Sequence, residues 1–462
     1  MSGLRTISPL PDGATIAASA LVEADLDRIA RLNLRFRAMV TPDPEGARRM
    51  AAVAADGPLA GMTLTVKDNI DTAGLRTACG SRLFADHVPT EDATVVGRLR
   101  RAGAILLGKA SMMELAFGLR TTDAIGGQCR NPWNPDHVPG GSSGGSAASV
   151  ALDFGTASLG TDTGGSVRMP SAFCGVTGLR PTHGRVSNKG VLPVSETFDT
   201  VGPIARRVQD VAAVYQVIAG HDPADPHSVD RPVEAWDGSN DVAGLRVGVP
   251  ETFYFDAIDT EVAAALARVV AALRKSGAAI VPVALPGAET AHAHATRIIL
   301  SDACALHERA LDQRRGDISD QVYERMIKGR DVTGVNYAQS LRFRERWRQM
   351  LAGLFTRVDV LLMPTTPGPA ARIEDGAHLE DATRHATRFT YGGGLAGTPG
   401  LSLPCGFTAS GLPIGALFEA PWWQETRLFR IGAWWQAQTD WHLRHAPVLD
   451  FDKQPQHQGV RK

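Results

Sequence analysis

Three residues carry the parts needed to attack an amide. Ser166 closes the run Thr163-Gly164-Gly165-Ser166, Ser142 lies inside Gly140-Gly-Ser-Ser-Gly-Gly-Ser146, and Lys67 ends the apolar stretch Leu64-Thr-Val66. An amide is a poor electrophile, so its hydrolysis needs an activated hydroxyl, a proton carrier and donors for the developing oxyanion. Unhindered backbone N–H groups around Gly164 and Gly165 can converge on a carbonyl oxygen, and a glycine loop can hold a second hydroxyl in an unusual geometry. A lysine taken out of water loses its proton readily, because burial disfavours the ammonium form. Read singly, each serine is a turn residue and Lys67 a strand-end surface lysine. Together the three suit nucleophilic catalysis.

Other readings of the same loops fit less well. Consecutive N–H groups before a helix can cradle a phosphate, but neither G-x-x-x-x-G-K-[ST] nor G-x-G-x-x-G occurs. Gly140-Gly-Ser142-Ser-Gly144 matches G-x-S-x-G in form. That motif requires a hydrophobic strand directly before it, and here the Pro-broken run Asn131–Pro139 precedes. A flexible Gly/Ser linker is the plain alternative. Against it, the first loop runs into an Ala-rich helix and the second sits between apolar segments. Of 48 glycines in 462 residues, ten fall between Gly140 and Gly178, where this composition predicts about four. From Val138 to Val167 the only charged residues are Asp153 and Asp162.

The elements that must position these residues are legible in the periodicity. Gly61–Ile70 alternates as a strand, and Thr94–Lys109 reads as a helix with Val95, Val96 and Leu99 facing inward, followed by a strand Ala104–Leu107. Ile16–Ala55 reads as two helices broken near Pro42 and Pro44, and a helix starts at Ala147–Leu152. Further on come a helix Val208–Ala219, a strand Leu245–Val249, a helix Glu261–Lys275, a strand Ala279–Val283, long helices Ala291–Arg314 and Asn336–Phe355, and a strand Val358–Met363. Asp222–Asn240 reads as a connecting loop. Alternating strands and helices imply an α/β fold, with a mixed or parallel sheet covered by helices on both faces. Length alone would allow two or three domains.

Composition excludes other classes. With 48 Lys+Arg against 49 Asp+Glu, the net charge is −1, which supplies no electrostatic reason to bind nucleic acid or an anionic membrane. Met1–Asp25 shows no signal-peptide pattern and no apolar run is long enough to span a bilayer. Five scattered cysteines, an odd number with no C-x-x-C pair, point to reduced thiols and a cytoplasmic location.

The residues quoted above, with their surroundings, resemble the amidase signature family of Ser-Ser-Lys hydrolases. The likeness is carried by Leu64-Thr-Val-Lys67-Asp-Asn, by Pro139-Gly-Gly-Ser142-Ser-Gly-Gly-Ser-Ala-Ala148 and by Leu159-Gly-Thr-Asp-Thr-Gly-Gly-Ser166-Val-Arg-Met-Pro170. It continues through Cys174-Gly-Val-Thr-Gly-Leu-Arg-Pro-Thr182, Phe198-Asp-Thr-Val-Gly-Pro203, Leu395–Leu401 and Gly411–Gly415. The resemblance implies one large domain around a mixed sheet. Its signature core would cover about 60–210, a more variable substrate-side helical region about 220–390, and the C-terminal part of the core about 391–450. It implies Ser166 as the acyl-forming nucleophile, Ser142 as the bridging serine after a cis Gly141–Ser142 peptide, and Lys67 as the base. The N–H groups of Thr163, Gly164, Gly165 and Ser166 would form the oxyanion hole. No cofactor or metal is implied. The substrate would be a small-molecule carboxamide or a related urea, hydrazide or carbamate. Two alternatives stand beside this: the glutamine-cleaving A component of a glutamyl-tRNA amidotransferase, releasing ammonia from glutamine, and a catalytically silent scaffold.

Weaker candidates complete the reading. Ser111-Met-Met-Glu-Leu-Ala-Phe117 lies where the family lines its acyl pocket, which makes Met112 and Phe117 candidates for substrate contact; Arg168 is a candidate for a substrate carboxylate, against a structural role. Gly126-Gly-Gln-Cys-Arg-Asn-Pro132, His183 and the short stretch Ala51–Gly57 depart from the family pattern. His292 and His294, two apart in a helix, face opposite ways and suit no metal. His442 and His445 share a helix face but have no carboxylate cluster with them. Five of the eight tryptophans fall in Trp422–Trp441, which reads as core packing, with a homodimer interface or aromatic stacking as the other readings.

Overall fold

The apolar stretches between the Gly- and Pro-rich turns pair into one continuous sheet. The computed structural model describes residues 18–53, 56–375 and 379–451. The readings placed on residues 1–17 and on 54–55, within the short stretch before the lysine strand, lie outside the described residues. In chain order the strands are β1 Met39–Pro42, β2 Thr63–Lys67, β3 Ile105–Ala110, β4 Thr122–Asp123, β5 Gly127–Gln128, β6 Ala157–Thr161, β7 Thr177–Arg180, β8 Val201–Ala205, β9 Arg246–Pro250, β10 Ala279–Val283, β11 Val360–Pro364, β12 Gly400–Phe407 and β13 Pro413–Glu419. Eleven of them form a sheet in the order β1-β3-β2-β6-β8-β7-β12-β13-β11-β9-β10, while β4 and β5 pair by themselves. The sheet is mixed: β2 runs parallel to β3 and β6, and β9 parallel to β10 and β11, whereas β6–β8, β7–β12 and β12–β13 are antiparallel. A single sheet drawing strands from residue 39 to 419 makes the chain one domain, so the length-based expectation of two or three gives way.

Helices cover both faces of the sheet. The helices Thr94–Arg101, Val208–Ile218, Thr260–Lys275 and Glu425–Gln438 contribute to one large apolar cluster with Leu64, Val66, Leu159 and Leu403. Val95, Val96 and Leu99 are fully buried there, as their i, i+1, i+4 spacing predicts. Each such burial contributes on the order of 1.5–3 kcal/mol relative to exposure. On the other face lie the helix Gly144–Ala151, buried along its whole length, and the helix Arg168–Cys174, whose close packing the small residues permit. The strand β1 is where the sequence expectation fails, since only helices were expected between residues 16 and 55. Asn33 turns the chain out of the helix Ala18–Phe36 by accepting from Met39 N–H at 2.8 Å and donating to Met39 C=O at 3.0 Å, and the next four residues pair with β3 at the sheet edge. The expected single helix to Arg314 instead breaks at His307 (φ −107°, ψ 11°), separating Ala288–Leu306 from Glu308–Gln313. Among the described residues, no helix is long and apolar enough to cross a membrane.

Candidate active site

Lys67 ends β2, with β3 on one side and β6 on the other, and is completely buried. Its Nζ donates to Ser142 Oγ at 2.8 Å and to Thr161 Oγ1 at 2.6 Å, with Thr161 C=O at 3.4 Å. Asn69 Nδ2 holds the same threonine hydroxyl at 3.3 Å. Burial pushes Lys67 down to about 7 from an ordinary 10.5, although Asp199 and Asp162 pull it the other way. The amine is therefore partly neutral near pH 7, as a proton acceptor must be.

The Ser142 loop is held from two sides. The Gly141–Ser142 peptide is cis, as the resemblance implies. Thr121 Oγ1 donates to Gly140 C=O at 2.6 Å and accepts from Gly144 N–H at 3.2 Å. Ser143 Oγ donates to Thr161 C=O at 3.1 Å and accepts from Thr161 N–H at 3.2 Å, while Ser143 N–H donates to Ser166 C=O at 3.2 Å. Through these bonds the serine loop, the end of β6 and the Ser166 loop form one unit around Lys67.

The loop after β6 wraps around a buried carboxylate. Asp162 accepts from Gly165 N–H at 2.8 Å and Val167 N–H at 3.1 Å, and pairs with Arg168 and Arg180, each at 3.0 Å. Burial by itself would raise its pKa, but the two guanidinium groups together hold the carboxyl well below its ordinary range. Arg168 reaches Glu419 with its other nitrogen at 3.3 Å and is fully buried. The expectation of Arg168 as a contact for a substrate carboxylate is therefore corrected: its donors are used inside the protein, in the structural role that was the other reading. Gly165 is corrected in the same way as an oxyanion donor, because its N–H faces Asp162. The N–H groups of Thr163, Gly164 and Ser166 make no protein hydrogen bond among the described residues. Gly165 has φ +132°, and a Cβ there would lie 2.2 Å from Thr390 Oγ1, so glycine is required. Asp199, which the sequence reading left without a role, accepts from the Thr163 hydroxyl and from Val194 N–H at 2.7 Å, fixing the start of the same loop.

Ser166 is only partly covered and lines a cleft together with Gly164, Thr163, Phe117, Leu119 and Tyr391. Phe117 is thus beside the nucleophile candidate, whereas Met112 is fully buried in the apolar cluster behind it and does not line the cleft. Met112 as a substrate contact is a correction whose cause is simple: the chain rises to positive φ at Leu115 and Ala116 and turns Phe117, not Met112, toward the opening. Ile299, Arg325, Thr383 and Thr387 complete the far wall. They come from segments more than a hundred residues after Ser166, and no spacing connects them to the loops. Asp162 did carry a signal, as one of only two charges in an otherwise uncharged stretch followed by two arginines.

The remaining candidates fall outside this cleft or line its back. His292 stacks on Tyr391 at 4.1 Å and His294 on Phe343 at 4.2 Å, pointing to different partners. His445 pairs with Asp153, and His442 is buried elsewhere. Among the described residues no group of His, Cys, Asp and Glu is placed to hold a metal. Trp434 and Trp435 pack against the sheet, the latter donating to Pro404 C=O at 2.9 Å. All five cysteines are free and buried.

Known proteins match the chain along almost its whole length. The family model described as Amidase matches residues 20–429. The A component of the glutamyl-tRNA(Gln) amidotransferase of Roseiflexus sp. (strain RS-1) is 39% identical over 93% of this chain and 94% of its own length. Among solved structures, 6-aminohexanoate cyclic dimer hydrolase superposes with a TM-score of 0.87 at 28% identity, covering 94% of this chain and 96% of that one. The peptide amidase of Stenotrophomonas maltophilia superposes with a TM-score of 0.79 at 31% identity, covering 92% and 94%. On the extent of these matches, and on a single mixed sheet presenting the glycine-serine loops, the chain belongs to the amidase signature family.

Proposed function

We propose that the chain is an amidohydrolase that cleaves a carboxamide C–N bond, or that of a related urea, hydrazide or carbamate, through an acyl-enzyme on Ser166. The observation that carries this reading is the buried Lys67 amine, lowered to about 7, at 2.8 Å from Ser142 Oγ in a loop bonded directly to residue 166. Neutral Lys67 accepts the Ser142 proton, Ser142 takes the Ser166 proton, and Ser166 Oγ forms a bond to the carbonyl carbon. The free N–H groups of Thr163, Gly164 and Ser166 are the donors available to the oxyanion. As the tetrahedral species collapses, the C–N bond breaks and the proton passes from Lys67 through Ser142 to the leaving nitrogen. Water, losing a proton to the same relay, then hydrolyses the ester and restores Ser166. On this reading the core of about 60–210 carries the chemistry, while the helical region of about 220–390 supplies Ile299, Arg325, Thr383 and Thr387 to the substrate.

A serine-directed fluorophosphonate tests it: the wild type is labelled and turns over amides, and Ser166→Ala does neither. Full amidase activity in Ser166→Ala refutes the nucleophile, and a wild type that resists the probe returns the fold to a silent scaffold. A second reading, the A component of an amidotransferase, is favoured by the 39% identity to proteins of that name. Copurifying partner chains and glutamine-dependent transamidation distinguish it from a free amidase, which a net charge of −1 favours.

A further inference from the structure

The cleft beside Ser166 has a lopsided charge. Arg325 is the one cationic side chain among the described residues that line it, and none of those residues is a carboxylate. Its guanidinium sits 4.6 Å from the Phe117 ring centroid and donates to Phe117 C=O at 3.2 Å. No carboxylate among the described residues pairs with it. The nearby Arg384, by contrast, is paired with Asp381 at 2.5 Å. His292 adds no charge at neutral pH, since burial first and the two arginines second push it down to about 4, and its ring is held between the hydroxyls of Thr387 and Thr296.

A half-buried guanidinium that keeps most of its donors free, in a wall whose other side chains are apolar, aromatic or hydroxyl-bearing, is matched by a planar anion with two oxygens. A ligand ammonium in the same cleft would meet this cation with no counter-charge. We propose that the substrates of this chain are amides that bear a carboxylate, bound by Arg325, and no ammonium, such as the monoamide of a short dicarboxylic acid. This rests on the amidohydrolase reading of the same cleft, and it separates such amide acids from both uncharged amides and amino-acid amides such as glutamine.

The test is calorimetric titration of the full chain carrying Ser166→Ala, which keeps a bound amide intact, with glutaramate, pentanamide and glutamine. Glutaramate is expected to bind about 10- to 100-fold more tightly than pentanamide, and glutamine no more tightly than pentanamide. Adding Arg325→Gln abolishes the difference, and Arg325→Lys, which keeps the charge in case the first variant fails to fold, retains part of it. Equal binding of glutaramate and pentanamide, no binding of either, a preference that survives Arg325→Gln, or glutamine binding more tightly than glutaramate overturns the proposal. Turnover is a separate readout. Glutaramate bound selectively by Ser166→Ala yet not hydrolysed by the wild type supports the charge assignment while removing the amidohydrolase reading.

Discussion

If Lys67 is the base, its ionisation sets the pH dependence of the whole reaction. Burial lowers it from 10.5 to about 7, which corresponds to about 5 kcal/mol against the charged form. The neutral fraction is then about one-tenth at pH 6 and about nine-tenths at pH 8, whereas an ordinary lysine would be neutral in only about one molecule in 3,000 at pH 7. kcat/KM for a primary amide should therefore rise about tenfold per pH unit below 7 and level off above about 8. Asp68 and Glu419 are also buried and pushed up to about 7, so the inflection must be assigned. An amine and a carboxyl differ in how strongly the apparent pKa moves with temperature, and an inflection that persists in Lys67→Met belongs to a carboxyl. Stability supplies an independent check. Between pH 7 and 10.5 the unfolded chain holds a proton that the folded Lys67 lacks, so this group's contribution rises with pH, by about 2 kcal/mol from pH 7 to 9. Urea unfolding of wild type against Lys67→Met should show that slope in the difference. A rate profile that climbs through pH 9 without levelling, or a flat stability difference, refutes a lysine neutralised by burial.

Three further outcomes follow from the geometry. Thr161→Val removes the hydroxyl that accepts from Lys67 Nζ at 2.6 Å; kcat/KM should fall about tenfold and the apparent pKa should move down, since that acceptor favours the ammonium, and an upward shift contradicts the assignment. Gly165→Ala forces a Cβ to 2.2 Å from Thr390 Oγ1 at φ +132°, so steady-state kinetics should show a loss of kcat of about 100-fold or more as the N–H groups beside it are displaced. Asp162→Asn leaves Arg168 and Arg180 buried without their shared counter-charge, which should cost about 3–5 kcal/mol in urea unfolding. An unchanged midpoint there means that the network does not hold the loop.

Much of the site is legible without coordinates because its parts are local. The glycine crowding from 140 to 178, the near absence of charge there and the strand ending in Lys67 are each written in adjacent residues, and the structure brings Lys67 and Ser142 to 2.8 Å. The strand β1 was not legible: four residues ending in proline have no usable period, and their conformation depends on Asn33 and on a partner strand some seventy residues away. The oxyanion role expected of Gly165 fails for the same reason, and Arg168 takes the structural one of its two readings. Both are explained by one buried carboxylate, whose reach to two arginines and several N–H groups is a property of the folded loop.

The division between sequence and tertiary structure in this protein follows range. Short-range features determined which residues are candidates for the chemistry, since a loop that crowds backbone against a ligand needs glycine and a buried strand-end lysine needs apolar neighbours. Tertiary structure decided what those residues experience. Complete burial lowers Lys67, Thr161, itself held by Asn69, accepts from its amine, and Asp162 takes Gly165 N–H away from the cleft. One wall of the cleft beside Ser166 is assembled from Phe117, Ile299, Arg325 and Thr387, residues spread over 270 positions. Desolvation and converging charges depend on neighbours in space, and the order of residues along a chain does not encode them in any period.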